Sequence, residues 1–415
     1  MATIRPFPAI RPVPELASKV AALPYDVLNS NEARELVKDN PYSFLHIDKA
    51  EIDLDPAFSA YDNRVYKKAQ ENLLNMMRNH VLVQDEKQCL YIYKLIMDGR
   101  SQVGLVGCTS IDEYMNDTIK KHEHTREEKE VDRIRHVDAC DANTGPIFLT
   151  YRAKQTIQVT ISQWMDTHVP VYDFVADDNV THTIWIVDEI NTIEQLVQEF
   201  QTVENLYIAD GHHRSASAVK VGLQRREQYP NYTGEEEFNY FLSVLFPDEQ
   251  LEIFDYNRIV KDLNGLDVSK FLEKIKTQFS VEKAETVPYK PTAKHTFGMY
   301  VGQTWYKLTV NDTSFDTSNP VERLDVSILQ TRLLEPILHI QNPRADSRID
   351  FVGGIRGLHE LEKAVDEKGW AVAFSMYPTT MDDLFAIADA KEVMPPKSTW
   401  FEPKLRSGLF IHSLS

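Results

Sequence analysis

The sequence predicts an α+β fold in two packed units. Three observations carry that expectation. Helical and strand-like segments alternate without a regular βαβ rhythm, which argues against a doubly wound parallel sheet. The chain has 415 residues, against roughly 150 for a typical single domain. Hydrophobic residues make up 42% of it, with 18 Tyr, 19 Phe and 5 Trp, ample for sizeable cores. The expected units are residues 1–250 and 251–415.

An extended, proline-punctuated segment opens the chain and ends at Leu23-Pro24-Tyr25-Asp26-Val27. Ser30 or Asn31 then caps a helix over Asn31 to Asp39, which Pro41 stops. Ala60, Val65, Ala69, Leu73 and Met77 recur near helical spacing and predict a helix over Phe58 to Asn79. Asp98-Gly99 is hairpin chemistry between strands Cys89 to Ile96 and Val103 to Ser110. A charged helix is expected over Lys120 to His136, then strands at Ile147 to Tyr151 and Thr183 to Val187, then a helix over Ile193 to Gln201. Leu206-Tyr207-Ile208-Ala209 reads as a buried strand that Asp210-Gly211 turns into a helix over Ser215 to Arg226. Tyr240 to Phe246 is an apolar strand stopped by Pro247-Asp248.

The second unit begins near Ile253, with a helix over Val268 to Gln278, a hairpin over His295 to Val310 and a helix over Val326 to His339. A strand around Phe351, a helix over Leu358 to Lys368, a strand over Ala371 to Met376 and a helix over Met381 to Asp389 follow. The chain then enters the proline-rich run Val393 to Trp400.

Charge narrows the function classes. Lys plus Arg number 45 against 63 Asp plus Glu, a formal charge of −18, which repels phosphate backbones and disfavours nucleic acid as a partner. No apolar run approaches the ~18 residues that span a bilayer, and Met1 to Glu15 lacks a signal-peptide core. Cys89, Cys108 and Cys140 share no CxxC spacing, so reduced thiols and a cytoplasmic protein are expected. The oligomeric state is left open, a homo-oligomer included.

Asp210-Gly211-His212-His213-Arg214 is the sharpest chemical signal. A strand ending on a glycine turn into a helix leaves unpaired amides and a positive dipole end, which together suit an anion. His212, His213 and Arg214 add side-chain donors there, and arginine clamps phosphate bidentately. The plainer alternative is an Asp-capped helix with surface histidines. In the Lys120 to His136 helix, His122, Arg126, Lys129, Arg133 and His136 fall on one face, beside Glu123, Glu127 and Glu130. That face is either an anion surface or a solvated, self-neutralising stripe. Met394 to Lys404 presents Lys397 and Lys404 on a proline-stiffened loop suited to closing over a polar ligand.

Together, Pro24-Tyr25-Asp26-Val27, Lys121-His122-Glu123 with Asp132-Arg133, Pro146-Ile147-Phe148, the Asp210 to Arg214 run, Tyr256-Asn257-Arg258 and Met394 to Lys404 resemble the domain-of-unknown-function family 1015. That resemblance implies a ParB/sulfiredoxin-like nucleotide-binding core, in the superfamily that also holds archaeal free serine kinase. Its shared Gly-x-x-Arg turn holds nucleotide phosphates. Gly211-His212-His213-Arg214 matches sulfiredoxin's Gly-Cys-His-Arg except at His212, so sulfinic phosphoryl chemistry is out.

The expected function is phosphoryl transfer to the hydroxyl of a small amino acid, free L-serine first. ATP, ADP or pyrophosphate would be the donor and Mg²⁺ the cofactor. Gly211, His213 and Arg214 would hold the donor phosphates, with His122, Arg126, Lys397 and Lys404 completing the anion pocket. Asp210, His212 or Glu123 would take the proton, with Asp210 also the expected metal ligand. A phosphoserine phosphatase and a non-catalytic nucleotide-binding regulator are the alternatives.

Overall fold

The computed structural model describes residues 1–311, 316 and 318–415, in a mixed α+β arrangement. Chain contacts divide it into two units: residues 1–251 with 403–415, and residues 252–402. The first unit is therefore discontinuous. The tail, expected to close the second unit, belongs to the first, because its backbone hydrogen bonds go there: Ser407 with Ala22, Ile411 with Ile10, and His412 in register with Asn143.

Eight strands form the first unit's main sheet. They are β1 (Leu90–Met97), β2 (Arg100–Ser110), β3 (Ile119–Lys120), β4 (Ile147–Tyr151), β5 (Tyr172–Val175), β6 (Thr181–Val187), β7 (Leu206–Asp210) and β8 (Tyr240–Pro247). Their order is β3-β7-β4-β8-β2-β1-β6-β5. Only β7 with β3 and β8 with β4 run parallel among these pairs. Asp98 (φ 50°) and Gly99 (φ 79°) make the tight β1–β2 turn, the two positive-φ positions a two-residue hairpin favours.

The first unit also carries five longer helices: α1 (Asn63–Arg78), α2 (Glu127–Cys140), α3 (Gln155–Thr167), α4 (Ile190–Phe200) and α5 (His212–Gln228). The Asp62 side chain caps α1 by accepting from Arg64 N, four residues inside the expected start at Phe58. Val65, Ala69, Leu73 and Met76 bury its apolar stripe against Phe44 and Ile47. Ile157, Ile161 and Trp164 of α3 and Ile193, Leu196 and Phe200 of α4 pack on Leu149, Trp185 and Leu206 of the sheet. Each such large side chain contributes about 1.5–3 kcal/mol when fully buried. The helix α3 went unread in the sequence. Cys89, Cys108 and Cys140 are buried, unbridged thiols.

The charged helix starts later than expected. Residues 119–120 pair with β7, and α2 begins only at Glu127 with Arg126 as its N-cap. His122 and Arg126 therefore do not share a helical face with Lys129, Arg133 and His136.

The second unit carries an antiparallel sheet of β9 (Tyr256–Val260), β10 (Phe279–Lys283), β11 (Thr296–Val301), β12 (Thr304–Val310), β13 (Ile349–Gly353) and β14 (Val372–Ser375). Its order is β10-β12-β11-β14-β9-β13. Ile259, Tyr300, Trp305, Val352, Leu361 and Ala373 form its core. The helix expected over Val326 to His339 is regular only over Asp325–Leu329 and continues as a π-helical turn over Gln330–Leu334. Among the described residues, no helix is long and apolar enough to cross a membrane.

Candidate functional site

The strand β7 is buried through Ala209 because its apolar run lies between β3 and β4. Leaving the sheet for α5 requires a sharp turn, and Gly211 makes it at φ 97°, ψ 30°. That left-handed backbone costs a residue with a side chain roughly 1–2 kcal/mol. Gly211 offers no side chain to cap the helix, so the first amides of α5 face the turn unsatisfied by a capping oxygen. The Asp210 Oδ1 accepts the Gly211 N–H at 2.8 Å, and the Ser215 hydroxyl donates to the Gly211 carbonyl at 3.0 Å. Local bonds thus lock the bend on both sides.

Arg214 folds back over that bend. A Cβ placed on Gly211 would lie 3.3 Å from its Nε and 3.6 Å from its second terminal nitrogen. A Cβ on Gly145 would lie 3.6 Å from its first terminal nitrogen, which donates to the Pro146 carbonyl at 2.5 Å. The guanidinium is therefore gripped between two glycines, one on each chain segment. Lys404 brings a second cation, its Nζ 3.1 Å from Asp210 Oδ2. Burial alone would raise the Asp210 pKa, but Lys404 and Arg214 outweigh it and hold the carboxyl well below the usual carboxylate range.

The histidines divide between burial and display. His213, half-buried, accepts the Arg126 backbone N–H on Nε2 at 3.0 Å, which pins the segment before α2 against the bend. Burial lowers its pKa. His212 is 5% exposed, with its ring against that of His122 at 4.5 Å between centroids, nearly perpendicular. Its Nε2 faces the His122 backbone N–H at 3.5 Å, and Glu123 Oε2 lies 4.0 Å from its Nδ1. Burial pushes His212 down to about 4, and burial together with His212 pushes His122 down to about 3. Both stay neutral near pH 7. Among the described residues, the two buried His122 ring nitrogens have no hydrogen-bond partner.

The expected site residues are thus sorted. Asp210, Gly211, His212, His213, Arg214, His122, Glu123, Arg126 and Lys404 converge on the start of α5. Lys397 is in the second unit, where its Nζ sits 5.4 Å from the Tyr256 ring centroid and its carbonyl accepts from Arg258 at 3.0 Å. His212 is turned into the protein, because the pairing of Ile119 with Leu206 draws His122 in beside it. Asp210 serves as an anchor through both oxygens, one to an amide and one to an ammonium. Two of its roughly four lone-pair sites are thus taken, and among the described residues no cluster of three or more metal-ligating side chains occurs. A divalent ion here would have to arrive on the donor's phosphates.

Behind Arg214 lies a cavity of about 20 Å³ lined by Tyr25, Asp48, Arg133, His136, Thr144 and Arg214, among others. That is room for one water among several polar groups. Arg133 sits 4.0 Å from the Tyr25 ring centroid and 2.9 Å from Asp132 Oδ2. Asp48 accepts from the Thr144 hydroxyl at 2.8 Å. Asp48, Thr144 and Gly145 were not singled out in the sequence, and no local pattern marks them. They meet only when the sheet forms. Chemically, the bend combines helix amides without a side-chain cap, two cations and a nearby carboxylate, Glu123, which suits holding a phosphate beside a hydroxyl.

A family model described as "Protein of unknown function (DUF1015)" matches residues 4–327. No curated protein matches. Among solved structures, the chain is similar to a conserved hypothetical protein from Pyrococcus furiosus, at 15% identity and TM-score 0.36, over 74% of this chain and 94% of that one. It is similar to SbnI with a C-terminal truncation from Staphylococcus aureus at 13% identity and TM-score 0.39, over 73% and 85%. It is also similar to free serine kinase in complex with AMP, at 12% identity and TM-score 0.35, over 73% and 91%. At such scores these likenesses carry no weight for substrate or chemistry.

Proposed function

This chain belongs to the DUF1015 family, and from that premise we propose that it is a phosphotransferase acting on the hydroxyl of a small amino acid, free L-serine first. One observation carries the reading: the Arg214 guanidinium is folded over a left-handed glycine bend at a helix start, with the Lys404–Asp210 pair beside it. Such a bend supplies fixed donors where the phosphate's charge sits, and phosphoryl transfer is largely positioning plus charge neutralisation. The sequence resemblance, which reaches free serine kinase, supplies the hydroxy amino acid as acceptor.

The first amides of α5 and Arg214 hold the donor's phosphates, and Lys404 offsets their charge. The serine hydroxyl oxygen attacks the terminal phosphorus as the bond from that phosphorus to the donor's bridging oxygen breaks. Glu123 takes the hydroxyl proton. It is better placed than His212, whose Nε2 is turned onto the His122 amide and whose pKa is near 4. Asp210 fixes Lys404 and the bend rather than acting on the proton.

Purified protein given L-serine, Mg²⁺ and, in turn, ATP, ADP and pyrophosphate should form O-phosphoserine with one of them. Arg214→Ala should lower that rate on the order of 10²–10³-fold, the effect of removing one preorganised donor. Full rate in the variant sinks the reading. Saturable nucleotide binding without turnover would make the protein a nucleotide-controlled regulator, and phosphate release from phosphoserine alone would make it a phosphatase.

A further inference from the structure

The other end of α5 opens onto a larger feature. After Tyr229 the chain reverses and returns through Phe238, enclosing a cavity of about 680 Å³. Small-molecule sites commonly span roughly 300–1,000 Å³. None of its lining residues belongs to the Gly211 bend.

Its walls are aromatic. The Tyr229 and Phe238 rings are stacked, 6.2 Å between centroids and 20° between planes. Tyr229 and Tyr232 are 58% and 40% exposed, an unusual outlay of aromatic surface. Phe238 and Leu414, which form the floor, are tied to the buried cluster with Val137 and Val221. The walls are thus anchored while their faces stay open.

Its charge is one-sided. Glu235, Glu236 and Glu237 line it against a single cation, Arg225, which is already held by Asp138 at 3.0 Å and Asp141 at 2.8 Å. Arg5 answers Glu235 and Glu237 at 3.1 and 3.2 Å. Glu236 accepts only from neutral donors, the Thr233 and Gly234 backbone N–H groups at 2.6 and 2.9 Å, the Thr233 hydroxyl at 3.0 Å and the Asn239 side-chain amide at 3.0 Å, with Arg226 as its nearby cation. The last carbonyls of α5 add the negative end of the helix dipole. Such a site repels anions, and aromatic faces beside carboxylates attract cations. The Tyr232 ring already holds one, the Arg226 guanidinium, 4.9 Å from its centroid.

We propose that this cavity is a second binding site, for a small organic cation with a flat apolar body, such as an aromatic amine, an amidine or a quaternary ammonium. The body lies along the Tyr229–Phe238 stack and the charge faces Glu236. The site is separate from the phosphate bend and stands whether or not phosphoryl transfer is its chemistry.

Titration calorimetry of the full chain with benzyltrimethylammonium, and with uncharged benzyl alcohol as control, tests this. The cation should bind saturably and at least tenfold more tightly than the alcohol. The double substitution Tyr229→Ala with Tyr232→Ala, at two exposed positions, should weaken it at least tenfold, and Glu236→Gln severalfold. Arg214→Ala should leave it unchanged. Absence of saturable binding, equal affinity for both probes, or full affinity in the double variant would overturn the proposal.

Discussion

The two ends of α5 are built on opposite terms. At its start, uncapped backbone amides and the cations Arg214 and Lys404 are set among glycine turns, a buried histidine pair and an ion pair. At its end, exposed rings and carboxylates surround an open cavity. The macrodipole makes the start of this helix a positive pole and its end a negative one. Arg214 and Lys404 add cations at the start, whereas at the end Glu235, Glu236 and Glu237 line a cavity beside a last turn that itself carries Arg225 and Arg226. The start depends on burial, so changes there should cost stability as well as function. The end is exposed, so changes there should alter binding alone.

Acid separates them most strongly. His122 and His212 are neutral in the fold, near 3 and 4, against about 6.5 when unfolded. Between about pH 4 and 6.5 the unfolded chain binds more protons, so stability present above pH 6.5 is lost as pH falls through that window. The loss should be on the order of a few kcal/mol, read from melting temperature against pH, and His122→Phe should flatten the slope. An unchanged slope would assign the effect to other groups. The second unit contributes the opposite sign. Burial pushes the Asp325 carboxyl up to about 7; the His295 N–H and Lys294 oppose the rise, Asp383 adds to it, and Oδ2 has no hydrogen-bond partner among the described residues. The folded state there binds the extra proton, so its contribution is present below about pH 4 and is lost as pH rises towards 7. Asp325→Asn should remove that decline.

Smaller effects sharpen the contrast. Lys404→Met strands the Asp210 carboxylate and should cost about 1–3 kcal/mol in chemical denaturation, with weaker nucleotide binding. Gly211→Ala should cost roughly 1–2 kcal/mol and also displace Arg214, whose Nε would sit 3.3 Å from the new methyl. At the far end, Tyr229→Ala should shift stability by no more than ~0.5 kcal/mol. A larger loss there would mean that the exposed ring is structural after all.

The sequence made the start of α5 readable because a buried strand, a glycine and a polar first turn are adjacent in the chain. Lys404 was legible only as a lysine on a stiff loop; its contact with Asp210 spans 194 positions and no periodicity reports it. The stripe from His122 to His136 misled for a physical reason. Spacings of three and four describe a helix face only where a helix exists, and β3 withdraws the first residues into the sheet. Arg133 and His136 remained on the helix, but buried, with His136 bonded to the Ile47 carbonyl at 3.0 Å. The expected boundary at residue 250 rested on the restart of the strand-helix pattern, whereas the return of the tail to the first unit left no mark in composition.

That return sets an order of assembly. As synthesis proceeds from the amino terminus, the glycine bend and Arg214 emerge long before the lysine that neutralises Asp210. A nascent chain halted near residue 400 carries the bend without its counter-charge. The 252–402 segment must leave the ribosome before the first unit can close, so Lys404 and the backbone bonds of Ser407 and Ile411 to Ala22 and Ile10 are among the last ties that unit can make.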